Sequence, residues 1–252
     1  MNHPNRSIAF IIMAVVLALF VVAGLWALPP FGSYPGPYGD VINAIGTSAR
    51  HITNMVTGVN YDFRGLDTLG EEFILFASVT GVVMLLRGAR GEAKSAAALR
   101  IEHRRREGRS EAVAGAGRVL APITLLYGIY VVLHAQTTPG GGFQGGVIVF
   151  AAILLAYLGE GYSAWRRMAR SAVLDLVEAA GAAIYAVGGL VPMFFGARYL
   201  ENILPLGQPK TITSGGLIAV VNLGVGLAVA AGFSSIALEL LEETRTAGDD
   251  QA

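Results

Sequence analysis

Cysteine is absent from this 252-residue chain. That absence removes disulfides, zinc–thiolate sites, cysteine-ligated iron–sulfur clusters and cysteine nucleophiles. Charge is scarce as well: charged residues make up 14%, with 18 basic against 18 acidic and a net charge of zero. No global basic field exists to hold nucleic acid. Histidine is limited to four residues, three of them in polar segments, so haem held by facing histidines is not expected. Apolar surface is what the chain has in plenty. With glycine counted in and tyrosine out, roughly 63% is apolar, against about 45–50% in ordinary soluble domains. Mean hydropathy is +0.56. A single soluble core of this size does not need so much, so composition argues against a soluble enzyme or a disordered chain and predicts an all-α membrane protein.

Six apolar stretches stand out, at 7–28, 69–86, 119–135, 145–158, 173–195 and 215–241. The first carries no charge and covers about 33 Å, enough for the hydrocarbon core. Its length, and the Leu28-Pro29-Pro30 that follows in place of a cleavage pattern, predict a retained anchor. The fourth reaches membrane length only if Gly159 to Ser163 extends it. Basic residues set the orientation. Arg6, the nine from Arg87 to Arg118, then Arg166, Arg167, Arg170 and Arg245 make 14 on one side, and only Arg50, Arg64, Arg198 and Lys210 lie on the other. Six transmembrane helices with both termini cytoplasmic follow from that bias.

Between the first two spans, Asp40–Asn60 is too polar to cross. Val41, Ile45, Ile52, Met55, Val56 and Val59 fall near helical spacing, so it is expected either as a surface amphipathic helix or as an ordered loop docked on the bundle. The basic loop, with Arg104-Arg105-Arg106 and the i,i+4 pair Glu102–Arg106, reads as a solvated helix obeying positive-inside topology. Contact with anionic lipid is the other reading.

The segment Pro139-Gly140-Gly141-Gly142-Phe143-Gln144-Gly145-Gly146 is the most distinctive. It contains GxGxxG, but a membrane span precedes it where a dinucleotide site needs a soluble strand, and no Lys-Ser/Thr follows for a P-loop. The glycines are expected to let backbone pack on backbone, in a tight hairpin or a dip into the membrane. Ionisable groups in or near spans are costly and often functional. Glu178 lies about two turns into the fifth span, with Asp175 on the same face. His134 closes the third span, and Glu71 and Glu72 open the second. For Glu71 the bland alternative is a capping box with Thr68, with Asp67 as another possible cap. For Asp175 it is an ion pair with Arg170. Asn222 in the sixth span reads as helix–helix glue, and Gly216, Gly224, Ala228 and Gly232 form a close-packing stripe facing a neighbouring span or another subunit. No catalytic triad or metal-ligand cluster is evident, so neither cofactor nor metal is expected.

The glycine segment, following a span that ends Leu133-His134, resembles the B subunit of multisubunit Na+(K+)/H+ antiporters of the Mrp/Mnh type. It resembles equally the matching subunit of membrane-bound hydrogenase complexes. The similarity runs on through Glu178-x-x-Gly181, Arg198-Tyr199-Leu200-Glu201-Asn202, Leu204-Pro205, Ser214-Gly215-Gly216, Asn222-Leu223 and Val225-Gly226-Leu227, about 112–240 in all. Gln136 departs from the family pattern, which often has a second His there. Asp62-Phe63-Arg64-Gly65-Leu66-Asp67-Thr68-Leu69-Gly70-Glu71 is similar to a signature in the C-terminal tail of the large antiporter A subunit, or of a small separate hydrogenase-type subunit.

The resemblance implies a fusion: a two-helix unit at 1–90, a basic cytoplasmic linker at 91–117, a four-helix B-type domain at 118–241 and a polar tail at 242–252. It implies a non-enzymatic, multi-pass subunit of a prokaryotic cytoplasmic membrane complex that moves Na+ or K+ against H+. A redox-driven complex with its electron carriers on other chains is the alternative. Glu178, His134, Asp67, Glu71 and Asp175 are the candidates for a proton or cation path, with Glu178 expected at an interface with a larger subunit.

Overall fold

The computed structural model describes residues 3–33, 37–88 and 110–247, and all regular structure among them is helical. Most of the basic linker, including the Glu102–Arg106 pair, lies outside the described residues, as do 34–36 and the last five residues. The chain divides into two compact units, 1–41 and 42–252. The first holds α1 (His3–Trp26), 24 residues long and free of Gly or Pro except Pro4 and Gly24. It stops just before Leu28-Pro29-Pro30, because a residue preceding proline is pushed out of helical geometry.

The second unit begins within α2 (Tyr38–Arg50). The polar stretch is therefore a helix and a docked loop in succession. His51 adopts a left-handed φ of 55° and ends α2. Ile52 then plunges into the core with no exposure. The short α3 (Met55–Gly58) is capped by Asn54, whose Nδ2 donates to the carbonyl oxygens of Ala135 at 2.8 Å and Thr138 at 2.9 Å. It runs on as a π-turn, Val59–Phe63, and α4 follows over Gly65–Gly88. The remaining helices are α5 (Glu111–Leu133), α6 (Gly142–Glu160), the short α7 (Tyr162–Met168), α8 (Ser171–Phe194) and α9 (Leu217–Ala247).

Six helices, α1, α4, α5, α6, α8 and α9, are long and apolar enough to cross a membrane. α9 is central. Two thirds of its span is buried, against less than a third for each other span, and it packs against α4, α6 and α8. Its Val221, Val225 and Val229 recur every fourth residue, all fully buried.

The fourth span gains length at both ends, taking in 142–144 before and 159–160 after the apolar stretch. Gly142–Gly146 are the first turn of α6, and Gly161, at φ 91°, breaks the chain before α7. Trp165 of α7 is fully buried, its ring 5.1 Å from that of Tyr157, and it pins this break to the bundle. Helix crossings at the glycines are close. A Cβ on Gly142 would stand 2.5 Å from the Asn222 carbonyl oxygen of α9, and one on Gly145 would stand 2.8 Å from the Val132 nitrogen of α5. On α9, Gly224 and Ala228 face Gly181 of α8 within the same chain, where a Cβ on Gly181 would come within 2.5 Å of the Gly224 carbonyl oxygen. Gly216 is not on that face; it precedes the helix at φ 57°.

Candidate functional site

The helical period places one polar stripe on each of three helices. On α4 it is Thr68, Glu72 and Arg87, with Gly65 at its start and the apolar Val79 and Val83 between Glu72 and Arg87 on the same face. On α8 it is Asp175, Glu178 and Tyr185, and on α9 Gly232, Ser235 and Glu239. The α4–α9 and α8–α9 packings turn these stripes toward one another. They form a buried polar column, with Thr68, Glu72, Glu178, Ser235 and Glu239 all buried.

One end of the column is ionic. Arg87 donates to both Asp175 oxygens, at 2.8 and 3.1 Å, and to Glu239 Oε1 at 2.8 Å. Asp175 thus pairs across helices with Arg87 and not with Arg170 of its own chain turn, because α4 ends beside α8. Glu178 is one turn deeper, 5% exposed and level with Gly232 and Val79. It is enclosed by α4 and α9 of this same chain.

At the other end, the Tyr185 hydroxyl donates to the Gly65 carbonyl at 2.8 Å. Gly65 also lines an open cleft of about 970 Å³, with Asp62, Arg64, Asp67, Arg198 and Glu201 around it. Asp62 is paired with Arg50 and Asp67 with Arg64. Tyr61, on the π-turn outside the spans, has its phenol pushed far above the usual tyrosine range by burial, with Glu72 adding to the shift. It therefore stays protonated and able to donate.

The capping reading of this region fails. The π-turn feeds straight into a helix that starts at Gly65, so Thr68 is a full turn inside α4 and its side chain faces the column. Glu71 is exposed, whereas its neighbour Glu72 is 2% exposed with neither carboxyl oxygen hydrogen-bonded among the described residues. Successive residues on a helix point about 100° apart. Burial therefore singles out Glu72, which sequence reasoning passed over. Its spacing of four from Thr68 and seven from Val79 was the available signal. Glu239 was missed too, because it lies near the polar end of its span.

His134 stands apart from the column. It caps α5, with its ring stacked on Tyr130 at 4.1 Å between centroids and Nδ1 3.1 Å from the Tyr130 carbonyl oxygen. The glycine segment is held by Asn222, whose Oδ1 accepts from the Gly142 N–H at 2.6 Å and whose Nδ2 donates to the Val132 carbonyl at 2.7 Å. Gln136, at the departure from the family pattern, is buried. It donates to the carbonyls of Leu133 and Ile212, and its own carbonyl accepts from Thr53 and Asn54, so it clamps three loops together. Among the described residues no three His, Asp or Glu side chains converge as a metal-ligand set.

Comparison with known proteins places this architecture. Residues 112–235 match a family described as a domain related to the MnhB subunit of the Na+/H+ antiporter. An uncharacterized protein of Methanocaldococcus jannaschii is 31% identical over 246 residues, which is 90% of this chain and 91% of that one. A Staphylococcus aureus protein provisionally named antiporter subunit mnhB2 is 31% identical over 126 residues, 47% of this chain and 84% of that protein. Among solved structures, a chain of the membrane-bound sulfane sulfur reductase, an archaeal respiratory membrane complex, superposes with a TM-score of 0.67. It is 27% identical, over 94% of this chain and 98% of that one. A chain of the Mrp complex from Dietzia sp. DQ12-45-1b shares the fold at the same TM-score and 23% identity, over 95% of this chain and 26% of that longer one. The six spans, the glycine-led α6 and the sequence match over α5 to α9 agree, and this multi-pass membrane protein belongs to the MnhB family of antiporter-subunit domains.

Proposed function

We propose that this MnhB-type chain is a non-redox subunit of a cation/proton antiporter complex, which it helps to assemble and to which it contributes part of an ion path. Its partners are larger membrane subunits that carry the main paths, and the transported species are H+ and Na+ or K+. The chain carries no catalysis or cofactor of its own in this reading. The observation that carries the ion-path part is the burial of Glu178 and Glu239 in one column that ends at the partly exposed Arg87–Asp175 pair. Buried ionisable groups at membrane depth are expensive and mark ion pathways. Both termini and the Arg87 end of the bundle face the cytoplasm, in accord with the positive-inside bias.

The likeness to a quarter of one longer Mrp-complex chain supports reading 1–90 as a unit akin to an A-subunit tail, fused to the B-type part. The same likeness seen end to end with a chain of the sulfane sulfur reductase favours a second reading, the same subunit role in a redox-driven complex. Affinity purification in mild detergent separates the two. Antiporter-like subunits alone support the first reading, and co-purifying iron–sulfur or [NiFe]-type proteins support the second. A chain that purifies with no partner overturns both. In vesicles holding the assembled complex, Glu178→Gln lowers proton-coupled cation transport, and full transport would reduce Glu178 to a structural hydrogen-bonder.

A further inference from the structure

The buried acids of the column outnumber its cation. Arg87 pairs with Asp175 and Glu239, both at its own end of the column. Glu72 lies fifteen residues earlier on α4, about 22 Å along the axis. Neither of its oxygens, nor Oε1 of Glu178, has a hydrogen-bond partner among the described residues. Glu178 lies level with Val79, so the two acids stand about two helical turns, roughly 10 Å, apart along the column. A bare carboxylate in hydrocarbon is costly unless it carries a proton or meets a cation.

We propose that Glu72 and Glu178 form a proton-binding pair enclosed within this chain, across which a proton passes between the Asp62–Asp67 cleft and the Arg87 ion cluster. This rests on the ion-path reading above and sharpens it. On the cleft side, Thr68 lies one turn from Glu72 on α4, and the Tyr185 hydroxyl donates to the carbonyl of Gly65, one turn further on. On the far side, Ser235 is fully buried on α9 with its hydroxyl unpartnered, one turn from Gly232 toward Glu239. The charged groups facing the pair are Asp175 from α8, Arg87 from α4 and Glu239 from α9; Glu71 and Asp67 on α4 are exposed.

The step balances simply. At each carboxyl an O–H bond forms on a carboxylate oxygen as the O–H bond of a neighbouring donor breaks; the two carboxyls do not meet, so the proton crosses the two turns between them on water admitted to the column. A proton suits the site better than a metal cation. Val79 and Gly232 flank Glu178, the carbonyls of a membrane helix are committed to the helix, and among the described residues no set of three acids or histidines converges as metal ligands. A proton needs a single oxygen, whereas a metal ion needs a shell of them.

The test uses the purified complex in proteoliposomes, with proton uptake, cation flux and infrared difference spectra read in wild type, Glu72→Gln and Glu178→Gln. In wild type, protonated-carboxyl bands respond to pH and not to added Na+. Each Gln variant loses one such band and most of its proton-coupled transport while co-purifying with the same partners. Full transport in an assembled Glu72→Gln complex, or bands unchanged in both variants, would overturn the pair and leave the subunit role standing. Bands displaced by Na+ would replace the proton with a cation and equally overturn it. Where a Gln variant does not assemble, the Asp variant takes its place. Drawing the acid back by about one methylene disturbs a relay severely, so wild-type transport in the Asp variants also sinks the proposal.

Discussion

Arg87 and Asp175, 88 residues apart, meet as a fork: the guanidinium donates to both carboxylate oxygens and gives its remaining Nε–H to Glu239. One cation thereby joins the ends of α4, α8 and α9. The planar guanidinium suits this arrangement because it offers five donors in fixed directions.

Removing that cation takes one ion pair each from the buried Glu239 and from Asp175. Arg87→Ala is expected to destabilise the bundle by about 2 kcal/mol, less than the ~3–5 kcal/mol of a fully buried pair, because solvent screens the half-exposed Arg87. Arg87→Lys recovers only part of this, since an ammonium cannot span both acids in the same geometry. Thermal unfolding of the detergent-solubilised complex measures both. Equal stability of wild type and Arg87→Ala would show that the fork is ornamental.

Asn222 satisfies two backbone groups from different helices. Asn222→Ala takes from the buried Gly142 N–H its side-chain acceptor and from the Val132 carbonyl one of its donors, the Ala135 N–H remaining, and is expected to cost about 1–3 kcal/mol. Asn222→Asp keeps an acceptor for Gly142 but removes the donor to Val132 and adds a charge, so it should be the worse of the two. An Asp variant as stable as wild type would contradict this hydrogen-bond assignment.

The glycine contacts predict a position-dependent tolerance. A side chain on Gly142 or Gly145 meets backbone atoms of α9 or α5 within 2.5–2.8 Å, whereas nothing stands within 4 Å of a Cβ on Gly70. Gly142→Val and Gly145→Val should lose assembly of the complex before any change in ion selectivity, and Gly70→Ala should assemble normally. Overpacking of this kind costs about 1–3 kcal/mol or more. Normal assembly of the Val variants with altered ion preference would mean the segment serves the ion and not the packing.

Topology is testable independently of function. Reporter fusions after Arg106 and after Arg245 should read cytoplasmic, and one at Lys210 should read external. A cytoplasmic signal at Lys210 breaks the six-span alternation.

How much of this was legible beforehand varies with the range of the interaction involved. Glu178 stood out in the sequence because depth within an apolar run is a local property. Glu71 and Glu72 could not be told apart in the same way. They are neighbours in the chain, and only the register of α4, set by the π-turn that starts it at Gly65, decides which one faces inward. The partner of Asp175 was equally hidden: Arg170 is close in sequence, but α4 brings Arg87 across.

The sequence by itself determined the membrane class and the six spans, because twenty or so apolar residues must leave water whatever they pack against. It also marked the glycine segment and the family, since both are written in contiguous residues. Tertiary structure decided which stripes face one another, that Glu72 and Glu178 are both buried, and that the small residues of α9 meet α8 inside the chain. Those outcomes depend on helix rotation and neighbour choice. In a membrane these are set by close packing between distant segments, not by the apolar drive that every span shares.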